Sequence, residues 1–143
     1  MKEGVIMFEP VTAQISDFAD LEGQVAIVTG SAGGIGSEVV KLFRKVGAKV
    51  YAIDMAEDNY EKGIYHCDIT NQKEVIRVVD NINNKEGKID ILINCAGITS
   101  TVQFLDLTED EWDRIFDVNM KGTFFMTQAV FPKMKANKYG KIV

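Results

Sequence analysis

The feature of this sequence that most constrains its fold is a glycine-rich turn directly after an apolar run. Residues 25–29 are apolar up to Thr29, and the turn that follows is built around Gly30, Gly34 and Gly36. An unbroken apolar run that ends at glycine is typical of a parallel strand buried on both faces. The next segment is predicted to be an amphipathic helix. Its apolar stripe at helical spacing comprises Ile35, Val39, Leu42, Phe43 and Val46.

Glycines at a strand–helix junction suit a turn that binds phosphate. They permit a tight turn, let backbone N–H groups approach a pyrophosphate, and precede a helix N-terminus that favours anions. A glycine string alone is equally typical of a flexible loop. The second apolar strand, residues 49–54, favours the first interpretation because it ends in Asp54, 24 residues after Gly30. That is near the ~20-residue offset at which a βαβ unit presents a carboxylate to the adenine ribose.

The rest of the chain continues to alternate between strands and helices. Residues 64–68 and 89–94 are predicted as strands 3 and 4, and residues 140–143 as the start of strand 5. The helix before strand 4 is expected to start at the capping box Asn71-x-x-Glu74 and to end at Gly87. Its core stripe is Val75, Val78, Val79 and Ile82. A second capping box, Thr108-x-x-Glu111, opens a long helix over residues 109–136.

Four motifs in this order resemble those of the short-chain dehydrogenase/reductase family. Residues 29–36 are similar to its T-G-x-x-x-G-x-G turn, and residues 67–70 to the segment with its adenine-contacting aspartate. Residues 94–97 resemble its N-x-A-G motif, and residues 117–122 the stretch with its active-site asparagine. The resemblance implies an α/β fold: a Rossmann-like doubly wound parallel sheet in strand order 3-2-1-4 with the start of strand 5, truncated, over residues 23–143.

The resemblance also implies a cofactor site. Of the family's catalytic residues, this chain would contain only Asn119. The resemblance implies that Asn119 perturbs the helix in which it lies, so that a backbone carbonyl can hold a water in a proton relay. For Asp68, a role in capping the next helix remains an alternative, and for Asn94 the implied role is largely to tie neighbouring strands together. The cofactor-binding residues expected are Gly30, Ser31, Gly34, Ile35, Gly36, Asp54, Met55, Asp68, Ile69, Asn94, Ala96 and Gly97.

The residues around the second strand predict NAD as the cofactor in preference to NADP. Asp54 can accept hydrogen bonds from both ribose hydroxyls and would repel a 2′-phosphate. No arginine or lysine stands at positions 31, 32 or 55 to pair with that phosphate.

The activity implied by the resemblance is hydride transfer between a nicotinamide and an alcohol or carbonyl carbon, with a Tyr-x-x-x-Lys pair as acid/base machinery. This sequence contains no Tyr-x-x-x-Lys, and the family's catalytic serine lies just beyond strand 5. We therefore expect the cofactor-binding half of a complete enzyme, inactive alone. The alternative is a non-catalytic dinucleotide-binding module or an inactive truncated remnant. Sugar, polyol, secondary alcohol and 3-oxoacyl substrates all remain open.

Composition limits the partners. The net charge of −5 and the lack of basic runs argue against nucleic acid or an anionic membrane surface. No apolar stretch approaches the ~20 residues that span a bilayer, so we expect a cytoplasmic protein with a small-molecule substrate.

Cys67 and Cys95 should lie ~14 Å apart at the ends of strands 3 and 4, too far for a disulfide. With one histidine, a metal site is not expected. Residues 1–22 match no motif and are expected to form an N-terminal extension.

The long helix over residues 109–136 is apolar over a wider arc than one core stripe needs. Such a helix is either deeply buried or shared with another subunit. The resemblance implies dimer contacts through this helix, and a homo-oligomer is expected. The apolar residues are Trp112, Ile115, Phe116, Met120, Phe124, Met126, Val130, Phe131 and Met134.

Overall fold

The computed structural model describes residues 19–55 and 63–143. They form a five-stranded parallel sheet in the order β3-β2-β1-β4-β5. The predicted doubly wound sheet and its strand order are therefore confirmed. The strands are β1 (Val25–Thr29), β2 (Lys49–Asp54), β3 (Ile64–His66), β4 (Ile91–Asn94) and β5 (Lys141–Ile142). Most of the predicted N-terminal extension, residues 1–18, and residues 56–62 of the β2–β3 connection lie outside the described residues.

Three strands are shorter than predicted, and among them β5 spans Lys141–Ile142 and not residues 140–143. Strand β3 ends at His66 and not at Asp68, because the Asp68 carboxylate accepts the N–H of Thr70 at 2.9 Å and bends the chain before the next helix. Strand β4 begins at Ile91, two residues later than Ile89. The carboxyl ends of β1, β2 and β4, where ligands bind in such sheets, are in the predicted places.

The helices begin and end at the predicted signals. Asn71 caps α2 by accepting the N–H of Lys73 at 3.2 Å, and Gly87 ends it in the left-handed conformation. Thr108 caps the long helix by accepting the N–H of Glu111 at 3.3 Å. The elements are α1 (Gly34–Lys45), α2 (Gln72–Glu86), α3 (Glu109–Phe116), a π-helical segment (Asp117–Gly122) and α4 (Thr123–Ala136), with a short 3-10 turn at Phe104–Asp106.

The sheet separates two apolar layers, because successive side chains of a strand point to opposite faces. In β1, Ala26 and Val28 pack with Val40 of α1 on one face. Val25 and Ile27 lie in the other layer, where they join residues of α2 and α4. The predicted core stripe of α2, Val75, Val78, Val79 and Ile82, is buried in this second layer.

Ile35 departs from the predicted stripe of α1. Its side chain is 77% exposed, whereas Val46 at the other end of the stripe is 6% exposed. The first turn of α1 extends beyond the end of β1, so a residue at this position overhangs the edge of the sheet. Ile35 therefore lies outside the core, although it belongs to the apolar stripe.

The long helix has an apolar side that the described part of the chain does not cover. Its inner residues Met126, Val130 and Met134 are buried in the core. The outer ones are 45 to 63% exposed. We call them the outer apolar face: Trp112, Phe116, Met120, Phe124 and Phe131. Within the described residues, no helix is long and apolar enough to cross a membrane.

Candidate functional site

A cleft of about 570 Å³ opens at the carboxyl ends of β1 to β4. Strands β2 and β3 lie on one side of β1, and β4 lies on the other side. The cleft is located at this change of side. In open α/β sheets this switch point is the usual ligand site. Ten of the twelve residues predicted to bind cofactor line it: Gly30, Gly34, Ile35, Gly36, Asp54, Met55, Asp68, Ile69, Ala96 and Gly97.

The two remaining predicted residues, Ser31 and Asn94, do not line the cleft. Ser31 is 6% exposed, and its N–H donates to the carbonyl of Ile53 at 3.2 Å. Asn94 bridges strands, because both its backbone N–H and its side-chain Nδ2 donate to the carbonyl of Val143, at 2.8 and 3.1 Å. Ser31 Oγ and Asn94 Oδ1 are buried and have no hydrogen-bond partner among the described residues.

Two glycines of the turn are required by packing. Gly30 has a φ of +65°, and a Cβ there would lie 2.6 Å from the Cα of Ala96. At Gly36 a Cβ would lie 2.2 Å from the carbonyl oxygen of Gly30. Thr29 Oγ1 accepts the N–H of Ala96 at 3.1 Å, which joins the start of the turn to the end of β4. The turn is thus pressed against both α1 and the neighbouring strand.

Gly34 differs from these two glycines. A Cβ at this position would meet nothing within 4 Å, and its φ is not in the left-handed region. Gly33, at the N-cap, provides no side-chain hydrogen bond to the first N–H groups of α1. An uncapped helix N-terminus with open space in front of it has the chemistry that a phosphate group needs. The residues here therefore fit a pyrophosphate-bearing cofactor.

Asp54 is held at the turn by the backbone. Its Oδ2 accepts the N–H of Ala32 at 2.9 Å, so the carboxylate at the end of β2 lies beside the glycine turn that follows β1. A carboxylate has several acceptor positions. One of its hydrogen bonds fixes the side chain, and the group remains part of the cleft lining.

Asp68 lies at the cleft and shapes the turn before α2, and its contact with adenine stays a prediction. Its Oδ1 accepts the N–H and the hydroxyl of Thr70 at 2.9 and 2.8 Å, and this turn leads into α2, whose N-cap is Asn71. Asp68 also lines the cleft. Seven further residues line the cleft but were not predicted to bind cofactor. Five of them lie within the quoted motifs and two, Ile53 and Ile98, lie outside; the five are Gly33, Cys67, Thr70, Cys95 and Val118.

Asn119 joins the long helix to the loop after β4. Its Oδ1 accepts the N–H of Ile98 at 2.8 Å, and its Nδ2 donates to the Ile98 carbonyl at 2.9 Å. Asn119 lies within the π-helical segment, and its own carbonyl accepts the hydroxyl of Thr123 at 2.9 Å. The side chain therefore positions the Ile98 backbone at the cleft. The implied role of its carbonyl in a proton relay stays a prediction.

Both cysteines line the cleft as free thiols. Burial raises the pKa of Cys67 to about 11, and burial also raises the pKa of Cys95. Both are therefore protonated at neutral pH and are poor nucleophiles. Among the described residues, no group of three or more His, Cys, Asp or Glu side chains is placed to hold a metal ion.

The sheet order, the packed glycine turn and the cleft at the switch point define a Rossmann-like α/β domain. A family profile described as short chain dehydrogenase matches residues 24–143. The chain belongs to the short-chain dehydrogenase/reductase family.

Relatives from several organisms support this assignment. The chain is 36% identical over 135 residues to the 3-oxoacyl-[acyl-carrier-protein] reductase FabG of Thermotoga maritima, covering 86% of this chain and 55% of that protein. It is 36% identical over 133 residues to an NAD-dependent glycerol dehydrogenase of Listeria innocua, covering 87% and 52%. The solved structure of 2-keto-3-deoxy-D-gluconate dehydrogenase from Streptococcus agalactiae is 31% identical, with a TM-score of 0.73 and coverage of 86% and 51%. The chain thus spans about half the length of the relatives it matches.

Proposed function

We propose that this chain is the cofactor-binding half of an NAD-dependent oxidoreductase that interconverts alcohols and carbonyl compounds. The observation that carries the proposal is the pairing of the packed glycine turn with Asp54, whose carboxylate accepts the N–H of Ala32 at 2.9 Å. That pairing places an uncapped helix N-terminus and a carboxylate in one cleft. The two groups suit the pyrophosphate and the adenine ribose of the same molecule.

Different residues of the cleft would bind different parts of the cofactor. The turn at Gly34 and the N-terminus of α1 would hold the phosphates, and Asp54 would accept hydrogen bonds from the ribose hydroxyls. Asp68 and Val118 line the same cleft, and the resemblance of Asp68 to the family's aspartate supports a contact with adenine. When bound, the nicotinamide supplies or accepts hydride. Asn119 would keep the Ile98 backbone at the cleft wall through its two hydrogen bonds.

Binding without turnover is the expected behaviour of the 143-residue chain. Calorimetric titration with NADH should give saturable binding at one site per chain. The same preparation, supplied with NAD and glycerol or a secondary alcohol, should produce no NADH, because the sequence contains no Tyr-x-x-x-Lys acid/base pair. Failure to bind NADH would contradict the proposed cofactor site. Steady NADH production would contradict the proposal that this half is inactive alone.

A non-catalytic dinucleotide-binding module is the second candidate, since the glycine turn and Asp54 would serve cofactor binding in either case. The denatured intact mass of the protein from its natural source separates the two candidates. A mass well above 15.9 kDa supports the enzyme, since further polypeptide could supply the missing groups. A mass of 15.9 kDa supports the module.

The substrate class proposed is an alcohol or its carbonyl counterpart, of the sugar, polyol, secondary alcohol or 3-oxoacyl type. The names of three relatives support it, because they are a 3-oxoacyl reductase, a glycerol dehydrogenase and a 2-keto-3-deoxy-D-gluconate dehydrogenase. The substrates in these three names differ from one another in chain length, polarity and charge. The names therefore support the type of reaction and not one particular substrate. Assaying the natural protein with one compound from each group would test the proposed substrate class.

We also propose a homo-oligomer formed through the outer apolar face. The face presents five large apolar side chains along one side of the helix, and covering them in a second copy would remove them from water. Sedimentation should show a dimer for the native chain and a shift toward monomer for Phe124→Asp. The matched control is Ile76→Asp, which changes an exposed apolar residue of α2 outside this face. A native chain that sediments as a monomer would contradict the proposal.

A further inference from the structure

A second cleft, of about 360 Å³, lies between α2 and strands β2 and β3. It shares no lining residue with the cleft at the carboxyl ends of the strands. We call it the tyrosine groove. It is lined on the sheet side by Tyr51 and Tyr65 and on the helix side by Arg77, Asn81 and Lys85, with Ile82 among the apolar residues. The proposed cofactor chemistry uses none of these side chains.

Two aromatic rings form one side of the tyrosine groove. The centroids of Tyr51 and Tyr65 are 5.3 Å apart, and the rings are tilted by 38°. The Tyr51 hydroxyl donates to Glu86, and burial together with this hydrogen bond raises the pKa of Tyr51. The phenol is therefore neutral and fixed in place. It supports the less buried ring of Tyr65 as an apolar surface for a flat ligand.

The opposite side of the groove is cationic. Arg77, Asn81 and Lys85 recur every four residues along α2, and neighbours at this spacing share one face of a helix. The ammonium of Lys85 lies 5.7 Å from the centre of the Tyr51 ring. No described residue that lines the groove has a carboxylate. This arrangement contrasts with the whole chain, which has 21 acidic residues and 16 lysines and arginines.

The nearby carboxylate of Glu86 does not cancel this charge. It pairs with Lys49 at 2.7 Å, and the hydrogen bonds from Lys49 and Tyr51 lower the pKa of Glu86. Its charge is thus matched by Lys49, outside the lining. Arg77 and Lys85 therefore give the groove a net positive charge beside an aromatic surface.

We propose that the tyrosine groove binds a small aromatic anion, a planar ring that bears a carboxylate or a phosphate. The ring packs against Tyr65, and Arg77 and Lys85 pair with the anion. The amide of Asn81, between the two cations, donates a further hydrogen bond. A ligand with only one of the two features, ring or charge, loses half of these contacts and binds more weakly.

The test is an NMR titration of the 143-residue chain carrying ¹³C-labelled tyrosine rings, with its four tyrosines assigned by single Tyr→Phe variants. Phenyl phosphate and benzoate are the probes, and inorganic phosphate and benzyl alcohol are the matched compounds lacking ring or charge. At least one probe should shift the Tyr51 and Tyr65 signals saturably and leave Tyr139 unchanged. The probe that binds more tightly identifies the anion. Inorganic phosphate and benzyl alcohol should bind at least about tenfold more weakly.

Charge variants complete the test. The double variant Arg77→Gln/Lys85→Gln should lose at least about tenfold in affinity for the better probe, while Lys73→Gln, at an exposed site of α2 outside the groove lining, should bind like the native chain. An unchanged Tyr139 signal and an unchanged far-UV circular dichroism spectrum without ligand would show that the variants remain folded. Equal affinity of the double variant and the native chain, or shifts of Tyr139 as large as those of Tyr51 and Tyr65, would overturn the proposal. So would inorganic phosphate binding as tightly as phenyl phosphate.

Discussion

Replacing Gly36 with alanine should destabilise the folded chain by roughly 3 kcal/mol, a large part of the stability of an ordinary domain. The added methyl would lie 2.2 Å from the carbonyl oxygen of Gly30 and 2.8 Å from its carbonyl carbon. Both are backbone atoms of a tight turn, which cannot move aside as a flexible side chain would. Urea unfolding followed by far-UV circular dichroism would measure the loss as a lower midpoint with an unchanged slope.

Gly34→Ala is the matched control for this prediction. The same methyl group, two positions earlier, would meet nothing within 4 Å, so the midpoint should stay the same or rise slightly because alanine favours a helix. If the cleft binds a dinucleotide as proposed, this methyl would intrude on it, and affinity for NADH should fall by about tenfold. Equal destabilisation by the two alanines would contradict the distinction between a glycine required by packing and one left open for a ligand.

Asp54→Ala should remove most of the preference for NAD over NADP. The proposed charge-assisted hydrogen bonds to ribose are worth about 1.5 to 3 kcal/mol, which is a tenfold or larger loss of NAD affinity. Affinity for NADP should rise at the same time, since the variant no longer repels a 2′-phosphate. Calorimetric titration of both cofactors into the native chain and the variant gives the ratio of the two dissociation constants. An unchanged ratio would contradict the assignment of Asp54.

Asp54→Asn separates charge from structure in this experiment. The amide oxygen can still accept the N–H of Ala32, so the turn keeps its anchor. The alanine variant loses that hydrogen bond, and its unfolding midpoint should fall with it. If the effect on cofactor choice is electrostatic, the asparagine variant should also shift the preference toward NADP while its stability stays near that of the native chain.

The contacts of the buried residue Asp90 could not be predicted from the sequence. Asp90 is 5% exposed, and its Oδ2 accepts the N–H of Val25 at 2.8 Å and lies 2.8 Å from Lys88 Nζ. In the sequence, Asp90 is a single acidic residue near the start of the apolar segment 89–94. Its backbone partner is 65 residues away along the chain, so no local pattern could have identified it.

The site was predicted to the extent that its residues belong to local motifs. The turn from Gly30 to Gly36 and the ends of β2 and β3 carry recognisable spacing, and the structure places ten of the twelve predicted residues around one cleft. Ile53 and Cys95 escaped prediction because an apolar residue at a strand end has the same pattern whether it faces a cleft or the core. The role of Asn119 in holding Ile98 likewise depends on a contact across 21 residues.

The sequence by itself determined the local elements: the apolar strands, the caps at Asn71, Gly87 and Thr108, and the glycine-rich turn between β1 and α1. Each depends on backbone conformation and short-range periodicity, which neighbouring residues set. Tertiary structure alone decided which apolar side chains are covered. Along one continuous helix, Met126 and Val130 are buried while Phe116 and Phe124 remain exposed. All four are apolar residues in a predicted helix, and the sequence does not distinguish them. Only the docking of the helix on the sheet determines which side faces the core.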